Sequence, residues 1–232
     1  MKAGEKIVQL YGFKYLTDVK AKKPDGTFEI AEASQSRYEV ASNGYVVETA
    51  TKQPYFTSSR YSFGDPNPAF NMSFINDFTF KGYLTLGFQV DWVQGSHIYN
   101  QTKQWMYRDG IHADYENPIT IGGQTGAWTA FYRGVYAQRQ ANGTKDYFYE
   151  DASFVRLRNV SIGIDLAKAF NIKTFRKLQL VLSGRNLLTF TKYTGFDPEV
   201  SSGSNNSAWD RGTDHNTMPN LRSYQVGLNF GF

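Results

Sequence analysis

The chain has 232 residues, 16% of them aromatic (16 Tyr and 18 Phe among them), with 21 Gly and no Cys. No stretch reaches the roughly 18 to 20 consecutive apolar residues of a membrane helix, and without cysteine neither a disulfide framework nor a cysteine zinc site is available. The net charge of +4, from 25 Lys and Arg against 21 Asp and Glu, is spread along the chain and forms no basic run suited to a phosphate backbone, which argues against a nucleic-acid partner.

The first segment, MKAGEKIVQLYGF, lacks the apolar core and small-residue cleavage site of a signal peptide. Within it, Lys6 to Thr17 is expected to be a weak strand that alternates through Ile7, Tyr11, Phe13 and Tyr15. Asn71 to Lys81 sets Met72, Phe74, Phe78 and Phe80 against Asn71, Ser73, Asp77 and Thr79, and Tyr83 to Gln94 sets Leu84, Leu86, Phe88, Val90 and Trp92 against Thr85, Gly87, Gln89 and Asp91. Lys81 and Gly82 between them predict a tight hairpin turn. Ser153 to Asp165 alternates cleanly in its second half, Leu178 to Thr191 repeats the scheme through Leu178, Leu180, Leu182, Leu188 and Phe190, and Tyr224 to Phe232 does so to the last residue. The period is two throughout, so strands are predicted and helices are not. Since a strand in a barrel wall shows lipid only every second side chain, this alternation leaves barrel spanning open.

The connections alternate in length. Asp18 to Phe70, Gly95 to Ala152 and Lys192 to Arg222 are long, while Lys81–Gly82 and Leu166 to Lys177 are short. Short turns on one rim and long loops on the other are the pattern of an outer-membrane barrel. One segment resists the scheme. Carried backward along Ser153 to Asp165, the phase puts Arg156 and Arg158 on the apolar face, where each would cost about 2 to 4 kcal/mol at a bilayer midplane. Either a bulge near Asn159 shifts the register, or both arginines lie at headgroup level. The second is the expectation here, because Ser153 would begin at the outer surface.

The blocks SFVRLRNVSIGIDL, LQLVLSGRNLLTFTKYTGFDPEV and PNLRSYQVGLNFGF resemble the C-terminal end of SusC/RagA-type TonB-dependent transporters, and GEKIVQLYGFK and SFGDPNPAFNMSFINDFTFKGYLTLGFQVDWVQGSHIYNQT resemble earlier parts of the same family's barrel. The resemblance implies an all-β fold: an antiparallel transmembrane β-barrel segment of about six strands from a barrel of roughly 22, with long extracellular loops and short periplasmic turns. Residues 1–232 would then be the C-terminal portion alone, with plug, TonB box and signal peptide absent. It further implies a non-enzymatic role in nutrient import at the cell outer membrane, for oligosaccharides or peptides. The implied partners are outer-membrane lipid, a SusD-like lipoprotein lid, the TonB complex acting through the missing plug region, and the barrel-assembly machinery. Gln225, Gly227, Phe230 and Phe232 match that machinery's recognition signal. No cofactor is implied. Six strands with two open edges in lipid would leave several kcal/mol unmet per backbone group, so such a segment is not expected to be stable in a membrane alone.

IGGQTG at Ile121 to Gly126 lacks the lysine and spacing of a phosphate loop. Asp109, His112 and Asp114 fit no standard metal site, and Asp197, Glu199, Asp210 and Asp214 miss the EF-hand pattern though they could gather a calcium ion. Glu150 and Asp151, adjacent on an extended chain, point to opposite faces and do not make a glycosidase pair. That leaves the loop aromatics. Tyr99, Trp105, Tyr107, Trp128, Tyr132 and Trp209 are candidate substrate-binding residues, because flat rings stack on sugars or peptide side chains; the competing reading is that they pack the long loops together. Gln89, Asp91, Ser183 and Arg185 are expected to form a polar wall network. The alternative to the transporter reading is a soluble aromatic-rich β-sandwich that binds glycans, and a secreted glycoside hydrolase is disfavoured by the missing carboxylate pair.

Overall fold

In the computed structural model, residue 4 and residues 8–137, 146–201 and 211–231 are described. In chain order the elements are β1 (Tyr11–Gly12), β2 (Tyr38–Val40), β3 (Val46–Glu48), β4 (Tyr61–Ser62), β5 (Phe70–Phe80), β6 (Leu84–Gln94), β7 (His97–Asn100), α1 (Gln101–Asp109), β8 (Ile119–Ile121) and β9 (Gln124–Gly126). These are followed by α2 (Thr129–Ala137), β10 (Tyr149–Asp151), β11 (Phe154–Asp165), α3 (Leu166–Ala169), β12 (Lys177–Thr191), β13 (Thr213–Asp214) and β14 (Ser223–Gly231). They fall into two units: Met1–Pro66 with His97–Glu150 and Ser201–Thr217, and Asn67–Ser96 with Asp151–Val200 and Met218–Phe232.

The second unit is one antiparallel sheet in the order β14-β12-β11-β6-β5. Its five strands coincide with the five strongly alternating segments. At the hairpin between β5 and β6, Lys81 and Gly82 both have positive φ, 49° and 71°, and the Tyr83 N–H donates to the Phe80 carbonyl at 3.3 Å; this handedness matches the twist of the flanking strands. Directly paired residues share a face. Phe74 pairs with Val90, Val90 with Leu157, and Leu157 with Leu188. Further along, Phe78 pairs with Leu86, Leu86 with Ile162, Ile162 with Leu182, and Leu182 with Val226. One face is therefore apolar from edge to edge, and it is exposed: Phe74 is 59%, Phe78 54% and Val226 76% accessible.

The ladder changes step between Leu157 and Asn159. There β6 passes directly from Val90 to Gln89 while β12 passes from Leu188 to Arg185. Arg158 is the extra residue on β11, and Asn186, with φ 53°, lies in the matching irregularity on β12. The bulge, and not a headgroup position, resolves the misplaced arginines: the extra residue restores the phase so that Arg156 shares the polar face with Asp91 and Thr189.

The first unit holds what the sequence reading treated as loops. Phe13, Tyr15, Val47, Phe56, Tyr99, Tyr107, Ile119, Ile121, Phe131, Tyr132 and Phe148 form one core, and Leu16, Ile30 and Val46 a smaller one. The helix α1 begins at Asn100, whose side chain accepts from the Lys103 N–H at 2.8 Å, and ends at Gly110 in the left-handed region (φ 74°). The expected sixth strand is corrected here. Of Lys6 to Thr17, only Tyr11–Gly12 is a strand, paired with Tyr61–Ser62, and both Tyr15 and Leu16 are buried. Neighbouring residues on a strand cannot both face one core, so the segment runs as irregular backbone between two clusters; Lys6 and Ile7 lie outside the described residues.

The fold-class expectation of a barrel segment is also corrected. Among the described residues the largest sheet has five strands and none of the sheets closes on itself. An open sheet leaves the backbone groups of its two edges unmet in hydrocarbon, at several kcal/mol each, so these five strands alone do not make a spanning barrel. Two readings built on closure fall with it: the outer-membrane location, and nutrient import as a barrel segment. No described helix is long and apolar enough to cross a membrane.

Candidate functional site

Two constellations stand out, one in each unit. In the sheet unit, Arg156 is 2% exposed. It donates from Nε to Thr189 Oγ1 at 3.0 Å, from Nη1 to Glu199 Oε2 at 2.6 Å and from Nη2 to Asp197 Oδ1 at 2.5 Å. Arg158 donates from Nε to Asp91 Oδ2 at 2.6 Å and from Nη2 to Glu199 Oε1 at 2.7 Å. Asp91 also accepts from Ser73 and Gln89, each at 2.8 Å. Asp197 accepts in addition from the backbone N–H of Glu199 and Asn220, both at 3.0 Å. Burial opposes ionisation of Asp91 and Asp197, yet the guanidinium hydrogen bonds prevail and both carboxyls sit below their usual range. The cluster ties the segment carrying Asp197 and Glu199 to the polar face of the sheet. The calcium expectation finds two of its ligands engaged in this way, with Asp214 accepting from Thr102 at 3.2 Å and Asp210 outside the described residues. Among the described residues no group of three or more His, Cys, Asp or Glu is placed to hold a metal ion.

In the first unit, a recess of about 330 Å³ opens among short strands. Tyr11 comes from β1, Tyr99 from β7, Tyr149 from β10 and Thr213 from β13, with Arg60 and Gln101 beside them. The Tyr149 hydroxyl donates to the Tyr11 carbonyl at 2.9 Å, and the Tyr99 hydroxyl to Gln104 Oε1 at 2.6 Å. The Tyr99 and Tyr149 rings lie 4.7 Å apart, and Phe63 stacks on Tyr149 at 4.7 Å. The rings are thus held by their own hydrogen bonds and neighbours, and the recess presents amide and guanidinium groups next to preset aromatic walls. Behind it, Asp114 accepts from the Tyr107 hydroxyl and from the Tyr147 hydroxyl at 3.0 Å. Burial and these bonds push both phenols up. His112 accepts at Nδ1 from the Asp114 N–H at 3.2 Å, and burial lowers its pKa, which works against an ion pair with Asp114. The two phenols, the Asp114 carboxylate and His112 Nδ1 are engaged with one another, as in a keystone of the core.

The sequence-predicted aromatics are distributed unevenly. Tyr99 lines the recess while being 2% exposed, and Tyr107 and Tyr132 are core residues at 1% and 4%. Trp105 meets His215 edge-on at 4.4 Å. Trp128 donates from Nε1 to the Ile119 carbonyl at 2.8 Å with Lys52 Nζ 5.1 Å over its ring. Trp209 lies outside the described residues, as does Phe232; Gln225, Gly227 and Phe230 are on β14. Of the polar wall, Gln89 and Asp91 join the arginine cluster, and Ser183 donates to Gln225 at 3.4 Å. Tyr11, Tyr149 and Arg60 were missed; the only signal for the two tyrosines was the abundance of tyrosine in the sequence, and Arg60 had none. Glu150 is engaged by Lys103 at 3.3 Å.

These features define a mainly antiparallel, aromatic-rich sheet protein with a preset recess of rings and amides. No family model matches it, but it is 32% identical to TonB-dependent receptor P3 of Formosa agariphila over 237 residues, covering 100% of this chain and 23% of that protein. It is 25% identical to TonB-dependent receptor P39 of the same organism over 271 residues (99% and 25%), and 28% identical to TonB-dependent receptor SusC of Bacteroides thetaiotaomicron over 95 residues (40% and 9%). In fold it is similar to the RagAB peptide importer in its open-open state (TM-score 0.54, 18% identity, 97% of this chain and 22% of that one) and in its closed-closed state (TM-score 0.56, 19% identity, 97% and 23%). The chain is homologous to the SusC/RagA-family TonB-dependent transporters, and it is not an enzyme. It spans about a quarter of the length of the first two curated relatives.

Proposed function

We propose that this chain is a glycan-binding module of a TonB-linked transport system, recognising an oligosaccharide at the recess walled by Tyr11, Tyr99 and Tyr149. The observation that carries the reading is the recess itself. Its volume of about 330 Å³ suits one or two sugar rings, being at the lower end of ordinary ligand sites. Tyr11 and Tyr149, both partly exposed, offer apolar ring area to the C–H face of a pyranose, with the buried Tyr99 backing Tyr149, while Gln101, Arg60 and Thr213 supply donors and acceptors for its hydroxyls. The homology supports the remaining partners: a SusD-like lipoprotein lid that covers the bound sugar, and the TonB complex as the source of energy. An oligosaccharide suits this site better than a peptide, because the polar groups around it are neutral amides, hydroxyls and a single guanidinium, with no pairing of charges for two peptide termini.

Titration calorimetry of the full chain against a panel of neutral oligosaccharides and short peptides tests this. Saturable sugar binding that weakens about tenfold in Arg60→Ala or Gln101→Ala, the size of one or two lost hydrogen bonds, is the expected result. Binding of peptides alone, or sugar binding indifferent to both substitutions, overturns it.

A further inference from the structure

A second recess in the same unit, about 600 Å³, is lined by Arg108, Asp109, Gly110, Tyr115, Thr129 and Arg133. It joins the C-terminal end of α1 to the start of α2, with Gly110 in the left-handed region leaving room beside the Tyr115 ring: a Cβ there would lie 3.9 Å from Tyr115 Cε1. Two guanidiniums and one carboxylate line it. Arg108 grips Asp109 with both arms, Nε to Oδ1 at 2.6 Å and Nη2 to Oδ2 at 2.9 Å. The Asp109 carboxyl is held below its usual value by that hydrogen bond foremost, and the charge of Arg133 adds to the effect. Both arginines therefore act on one carboxylate, and the wall carries a net positive charge of one.

We propose that this recess is an anion subsite that takes the acidic substituent, a uronate carboxylate or a sulfate ester, of an oligosaccharide ligand. The proposal rests on the glycan-binding reading above. The bidentate grip on Asp109 displays the geometry that a carboxylate adopts against this wall, and Arg133, exposed on α2, offers a second fork to a ligand anion. The Arg108–Asp109 pair is itself exposed, with side chains 38% and 48% accessible, so it contributes little to stability and can yield to a ligand. The Tyr115 ring supplies a flat wall for the sugar that carries the charge.

The test compares, in the full chain, a neutral oligosaccharide with its uronate-containing and its sulfated counterparts of equal length. Acidic ligands are expected to bind about tenfold more tightly than the neutral one, the scale of one charge-assisted hydrogen bond, and to lose that margin in Arg133→Gln while the neutral ligand is unaffected. Arg133→Lys is expected to retain part of the margin, since a point charge replaces a fork. Asp109→Asn is expected to raise acidic affinity several-fold; it removes a carboxylate from a helix C-terminus, where the macrodipole disfavours it, so the fold is spared. Raising the salt is expected to erode the margin. A margin for only one of the two acidic ligands identifies the group that the subsite takes. Neutral and acidic ligands bound equally, or a margin that survives Arg133→Gln, overturns the subsite while leaving glycan binding intact; no binding of any of the three overturns the glycan-binding reading, and the subsite with it.

Discussion

Replacing Arg156 by Met removes the most buried charge in the sheet unit. The side chain is lost from three acceptors, Thr189, Glu199 and Asp197, and Asp197, its side chain 4% exposed, is left without its counter-charge. Removing one partner of a buried ion pair costs about 3 to 5 kcal/mol. Asp197 keeps hydrogen bonds from the Glu199 N–H, the Asn220 N–H and Asn220 Nδ2, all at 3.0 Å, which places the loss near the lower end, about 3 kcal/mol. For a chain of this size each kcal/mol lowers the melting temperature by roughly 2 to 4 °C, so a drop of roughly 6 to 12 °C is expected by differential scanning calorimetry. The pH dependence supplies an independent arm. Burial opposes ionisation of Asp197 and the Arg156 hydrogen bond outweighs it, so its folded value is depressed. The stability it contributes is present above the unfolded carboxylate value near 3.9 and is lost as pH falls through the folded value. In Arg156→Met the burial term acts unopposed by that charge, and the acid limb of the stability curve moves upward. A variant within 1 kcal/mol of the parent with an unmoved acid limb would refute the account, and so would full additivity of Arg156→Met with Asp197→Asn.

Asp146 behaves oppositely. Burial, set against the hydrogen bonds its carboxylate accepts from backbone N–H groups, raises its carboxyl to about 6, so the penalty for ionising it is present above that pH and is relieved as pH falls toward 3.8. Stability measured by urea unfolding is expected to rise between pH 7.5 and 4.5, and Asp146→Asn to flatten that rise; an unchanged slope counts against it. Gly212 has φ 89°, and a Cβ there would lie 2.6 Å from Pro66 Cβ, so Gly212→Ala is expected to cost about 1 to 3 kcal/mol through backbone strain and collision with a rigid ring; a neutral result in thermal melting would show that the backbone relaxes there. The exposed apolar face predicts self-association or dye binding by the isolated chain, and replacing Phe74, Phe78 and Val226 by Ser is expected to reduce both in sedimentation and fluorescence. A monodisperse parent that binds no dye contradicts this.

The strands were readable because their signal is local. A side chain's face follows from parity along a few residues, and the segments around Phe74, Phe88, Ile162, Leu182 and Val226 needed no distant information. Parity fails where a residue is inserted. The misplaced phase within SFVRLRNV allows a bulge without requiring one, because the acids that reward the insertion, Asp197 and Glu199, are about 40 positions away. The recess was legible only as a class of residue: Tyr99 was singled out with five other aromatics, but which rings line a cavity depends on β1, β7, β10 and β13 meeting, and strands of two to four residues leave no periodic trace. Arg60 and Arg133 carried no pattern at all.

Alternation along the chain accounts for where five strands lie, which of their faces is apolar and where the tight hairpin turns, since each depends on neighbours within a few bonds. Packing across long separations settled the rest: the order in which the five strands pair, that the long connections gather their aromatics into a core of their own, and that two arginines are neutralised by acids from a remote segment. Charge, burial and ring contact depend on distance in space, and a single chain's spacing does not encode that distance once the separation exceeds a strand.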